Sequence, residues 1–246
     1  MNNAQQTFDY PLSRAAAPSF GGGRGEVSLF FKEWIKSRWA LLVTLLAFAG
    51  IIAYTFIYMS TELRVLGAGT VWESIIQKGV THFDYLKYLC LLAGVLLAVV
   101  QYAPEMVNKR LKLTLHLPLP EYRIVLSMLL FGILSLAALF LLVYAAVGVG
   151  VNRYYPAEIT QWNLAAILPW LWGGLAAYLL TAWIIIEPVW KQRLWNILMA
   201  LCLLKLFYFD EIPNAYAPLL PYLITFCALG ITFTFYSLIR FKDGVQ

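Results

Sequence analysis

Residues 40–59 form a run of twenty in which no side chain is charged, ALLVTLLAFAGIIAYTFIYM. A backbone placed in hydrocarbon must satisfy its own N–H and C=O groups, so an isolated run of this kind can cross a bilayer only as a helix. At 1.5 Å per residue, about 20 residues match the roughly 30 Å hydrocarbon core. Such runs recur along the chain, and their spacing predicts six spans, at about 40–59, 86–103, 123–149, 164–186, 194–209 and 219–239. Composition agrees. The 246 residues are 61% hydrophobic and 13% charged, with mean hydropathy +0.72, whereas soluble domains are about one-quarter charged. The expected fold class is an all-α integral membrane protein: a flexible tail over residues 1–25, ending in the glycine-rich GGGRG, then one membrane domain over 26–246.

An even number of spans puts both termini on one side, and the excess of lysine and arginine marks the cytoplasmic side. With the termini inside, the inner segments hold Arg14, Arg24, Lys32, Lys36, Arg38, Lys109, Arg110, Lys112, Arg123, Lys191, Arg193, Arg240 and Lys242. The outer loops hold only Arg64, Lys78, Lys87 and Arg153. The net charge of +5 therefore sits where a membrane accounts for it, and nucleic-acid binding is not expected. The tail lacks the early apolar run of a secretory signal, and a bacterial cytoplasmic (inner) membrane is the expected location.

Before the first span, residues 26–39 place Val27, Phe30, Phe31, Trp34 and Ile35 on one helical face and Ser28, Lys32, Glu33, Lys36 and Ser37 on the other. This pattern reads either as an interfacial helix, its aromatic side at headgroup depth and Lys32, Lys36 and Arg38 toward anionic lipid, or as a simple basic flank of the first span. The outer loop Ser60–Tyr85, with Glu62, Glu73, His82 and Asp84, reads as a connector or a lid. Tyr154, Tyr155 and Trp162 read as interface anchors. The fifth span carries Lys205, which either snorkels outward toward Asp210 or Glu211 or faces a substrate. Beyond it, Pro213, Pro218 and Pro221 forbid a continuous helix.

Catalytic motifs are missing from the sequence. It has no GxxxxGK[ST] phosphate loop and no HExxH. His82 and His116 fall on opposite sides in this topology, and Cys90, Cys202 and Cys227 lie in apolar runs without paired spacing, as small buried hydrophobes would. No catalytic, cofactor-binding or metal-binding residue is assigned.

The densest charge between two apolar runs lies in residues 101–126, QYAPEMVNKRLKLTLHLPLPEYRIVL, which cannot enter hydrocarbon cheaply. Pro104 and Glu105 suit a helix start, with Lys109, Arg110 and Lys112 following in the order the helix dipole favours. Leu111, Leu113, Leu115 and Leu117 then alternate with polar residues, a period that fits an extended segment as well as a helix.

Glu105 at the end of the second span, the basic Lys109, Arg110 and Lys112, then Leu117, Pro118, Leu119, Pro120 and Arg123 together resemble the permease subunits of type-2 ABC exporters. The likeness extends over residues 26–246 through the interfacial elbow helix (Phe30, Phe31, Trp34, Ile35), six spans and a broken outer turn. It departs at Ser127 and Met128, where many members carry a lysine. The resemblance implies a permease that binds no cofactor itself and has no enzymatic activity. ATP and Mg would act on a separate ABC ATPase subunit that docks on the 104–122 segment through Glu105, Lys109, Arg110, Lys112, Pro118, Pro120 and Arg123. A second permease copy, identical or paralogous, would complete the pathway. The alternative is a non-transporting scaffold that recruits a cytoplasmic partner by the same basic segment. An intramembrane enzyme, dependent on an acid such as Glu187, stands third.

Overall fold

The computed structural model describes residues 22–67, 69–70, 73, 82–107, 121–209, 216 and 218–242. They form six principal helices: α1 (Gly22–Val65), α2 (Asp84–Val107), α3 (Glu121–Asn152), α4 (Ala157–Ile186), α5 (Trp190–Phe207) and α6 (Leu220–Lys242). The described residues include no strand. Every helix except α5 is long and apolar enough to cross a membrane. The outer surface is apolar, with Leu46, Leu141 and Leu142 more than half exposed. The chain is thus an α-helical, multi-pass membrane protein. The 18-residue α5 carries Lys191, Arg193 and Lys205, which sets it apart from the other five.

Helix α4 is the hub, packing against α2, α3, α5 and α6, and its hydropathic window is the most buried of the five. Its closest neighbour is α2. A Cβ on Gly94 would collide with the Gly174 carbonyl, and one on Gly174 would meet the Cys90 carbonyl. Lipid supplies no hydrophobic drive between helices, so close backbone approach over small residues is what dispersion can use. Ala93 and Ala98 of α2 and Ala176 and Ala177 of α4 are likewise small and buried. Helix α1 lies at the edge on α2 and α3, and α6 at the edge on α4.

Two boundaries differ from the sequence reading. No break separates an interfacial helix from the first span: α1 is one 44-residue helix beginning at Gly22, inside the expected tail and linker. Extending a formed helix adds a hydrogen bond per residue, which offsets the roughly 1 kcal/mol cost of each glycine. Nor does Pro104 open a new helix; α2 runs through it to Val107. The proline removes one helical hydrogen bond, and the last turn is held instead by ion pairs on Glu105.

At the far end, His82 Nε2 lies 2.8 Å from Glu62 Oε2, pinning the start of α2 to the end of α1. Tyr154 is exposed and stacks on Phe56, but Tyr155, expected at the interface, is buried. Between α5 and α6 the Tyr216 hydroxyl donates to the Leu206 carbonyl and accepts from the Phe209 N–H, each at 2.9 Å. Cys90 and Cys227 are buried as expected; Cys202 is exposed.

Candidate functional site

The start of α1 meets the end of α2 through a cluster of four charges. Glu105 is 2% exposed, and its Oε1 accepts from Lys32 Nζ at 2.8 Å and from Lys36 Nζ at 2.9 Å. Lys36 Nζ also lies 3.0 Å from Glu33 Oε1 and donates to the Gln101 carbonyl at 3.2 Å. Two acids and two lysines make the cluster formally neutral, which a low-dielectric edge tolerates far better than a lone charge. Glu105 Oε2 and Glu33 Oε2 are buried without a hydrogen-bond partner among the described residues.

This geometry departs from the expectation for residues 26–39 on the polar side, which meets protein rather than lipid. Glu33 and Ser37 point into the protein, while Phe31, Trp34 and Ile35 are exposed. Phe30 is half-buried and meets Phe131 edge-to-face at 6.0 Å. Lys32 and Lys36 hold Glu105 rather than lipid. Arg38 alone of the three expected lipid-facing cations has no carboxylate partner among the described residues; its guanidinium sits 5.7 Å from the Trp39 ring centroid.

From the cluster a polar chain runs inward. Gln101, fully buried, donates from Nε2 to the Met128 carbonyl at 2.7 Å and accepts on Oε1 from the Tyr178 hydroxyl at 2.8 Å. The Tyr102 hydroxyl lies 3.3 Å from that of Tyr178. The network joins α2, α3 and α4 just above the charges, and each buried polar group in it has a partner, as low dielectric demands.

A second buried acid closes the same end. Glu187, just past α4, accepts from Ser237 Oγ at 2.6 Å and lies 3.1 Å from Arg240 Nη1. Arg193 Nη2 donates to the Glu187 carbonyl at 2.7 Å. The carboxylate considered for an enzyme is thereby tied to α6, and its backbone carbonyl to α5. Arg123 is exposed on the first turn of α3 at this end. Lys109, Arg110, Lys112, Pro118 and Pro120 lie outside the described residues.

Towards the other end, α2 and α5 both pack on α4 and leave a cleft of about 600 Å³. Its walls are apolar except for Thr181, the tyrosines Tyr88 and Tyr208 and two lysines, Lys87 and Lys205. Asp210 and Glu211, the suggested partners of Lys205, lie outside the described residues. Among the described residues, no group of three His, Cys, Asp or Glu side chains could hold a metal ion. Compared with known proteins, the chain matches no family model, no curated protein and no solved structure.

Proposed function

We propose that this chain is the membrane-spanning permease subunit of an ATP-driven transporter, an exporter by its resemblance, with six spans and both termini in the cytoplasm. The observation that carries the reading is the tie of Lys32 and Lys36 to the buried Glu105. It fastens α1 to the last turn of α2, where the basic 108–120 segment leaves the membrane domain. Force delivered to that segment by a partner ATPase would reach two helices at once, and through Gln101 and Tyr178 the hub helix as well. In this arrangement Glu105 and Arg123 divide the labour: Glu105 transmits within the chain, while the exposed Arg123 joins Lys109, Arg110 and Lys112 in meeting the partner. The α2–α4–α5 cleft, apolar with two lysines, supports an amphiphilic cargo.

The test is purification of the tagged full-length chain from its source membranes. An ATPase with Walker motifs should co-purify, and the Lys109→Glu/Arg110→Glu double variant, still inserted in the membrane, should lose it. A partner without those motifs would overturn the transporter in favour of a scaffold, and an ATPase retained undiminished by the double variant would overturn docking on this segment.

A further inference from the structure

A groove follows the line between α1 and α3 along most of their length. Its wider part, about 920 Å³, extends from Phe30 to Leu45 on α1 and from Phe131 to Leu142 on α3. A narrower part of about 480 Å³ shares Leu45 and Leu142 and carries the line on to Phe56 and Ala146. The two meet at that pair and follow one line along the α1–α3 seam. From Arg38 to Phe56 is 18 residues of helix, about 27 Å at 1.5 Å each, against a leaflet of about 15 Å, half the hydrocarbon core.

Arg38 is the single charged residue lining this channel, its guanidinium 5.7 Å from the Trp39 ring centroid, and Phe30 and Trp34 line the same part. Beyond it, toward Phe56, the walls hold only aliphatic and aromatic side chains apart from Ser135. The order is a guanidinium in an aromatic collar, then a long apolar slot. A guanidinium presents paired donors that match phosphate oxygens, and tryptophan favours the depth where headgroup meets acyl chain. Neighbouring Lys32 and Lys36 are engaged by Glu105, so they do not compete for the same anion. Among the described side chains, the carboxylates of α1 and α2 at this end, Glu33 and Glu105, are buried and do not line the channel.

We propose that the α1–α3 groove holds one anionic phospholipid of the leaflet on the basic side, its phosphate on Arg38 and an acyl chain along the slot. This rests on the membrane reading of the helices and on none of the transporter reading, so the absence of an ATPase partner leaves it standing.

The full-length protein in mild detergent is titrated with phosphatidylglycerol and with phosphatidylcholine while bound lipid is counted by native mass spectrometry. Phosphatidylglycerol should bind more tightly, and Arg38→Gln should weaken it about tenfold, the usual size of a lost charge-assisted contact. Ala138→Trp fills the slot, leaves the guanidinium in place and should also abolish the tight adduct. Arg64→Gln removes an equal charge from the other end of α1 and should change nothing. Equal affinity for the two lipids, or an unaltered adduct in Arg38→Gln, would overturn the assignment. So would efficient disulfide formation between two copies carrying Leu134→Cys, which would put a second protein in the groove.

Discussion

Glu105 shows how one side chain changes meaning between sequence and structure. In sequence it is one more charge in a basic segment; in space its carboxylate takes two lysines from a helix some seventy positions earlier. Spacing along the chain cannot reveal such a pair, because nothing local records which helix a lysine will meet. Glu105→Gln removes the negative partner, yet Lys32 and Lys36 reach water in part, which screens what is left. The expected loss is about 1–3 kcal/mol, below the 3–5 of a fully buried pair. A lower melting temperature in detergent, with Lys32→Met costing less than Glu105→Gln, checks it. Glu187 belongs to the same category: Ser237 and Arg240 find it only because α4 and α6 pack together.

At the scale of helices, the apolar runs marked α1, α2, α3, α4 and α6 plainly, since hydrocarbon admits one kind of backbone. Which way a helix turns was harder to read. The two faces of the amphipathic stretch of α1 suit a helix lying on a surface. Here it stands in a bundle whose outside is lipid, so its aromatic side faces out and its charges seek one another inside. Composition records that a helix has two faces but not which medium each meets. The small-residue contact of α2 with α4 is similarly silent in hydropathy, because glycine scores as neither apolar nor polar. Gly94→Val would drive its branched side chain into the Gly174 carbonyl. Overpacking costs about 1–3 kcal/mol in ordinary cores. A backbone collision belongs at or above the top of that range, which should appear as poor yield and aggregation on solubilisation, whereas Gly50→Val, with open space around it, should behave as wild type.

For the whole molecule, most ion pairs of the described residues lie at one end, Lys32 and Lys36 with Glu105 and Arg240 with Glu187, with Arg38, Arg123 and Arg193 beside them, while His82 with Glu62 stands at the other. Among the described residues the opposite end holds Arg64, Lys87, Arg153 and Lys205, fewer cations than the first, a pattern that the charge asymmetry of the sequence already contained. Sidedness can be measured directly. In a background without Cys90, Cys202 and Cys227, a cysteine at exposed Arg153 should react with an impermeant maleimide in intact cells. One at exposed Arg123 should react only after the membrane is opened. The reverse pattern would turn the molecule over, and labelling of both from outside would remove a span between them.

The meeting of Gly94 with Gly174 has a mechanical side. Where side chains separate two helices, rotamers can yield and the helices can slide; where main chains touch, no soft layer exists between them. Helices α2 and α4 therefore form a keel that can tilt or turn as one body but cannot shear along its own seam. Any movement that opens this bundle falls to its flanks, where α1, α5 and α6 rest on side chains that can give.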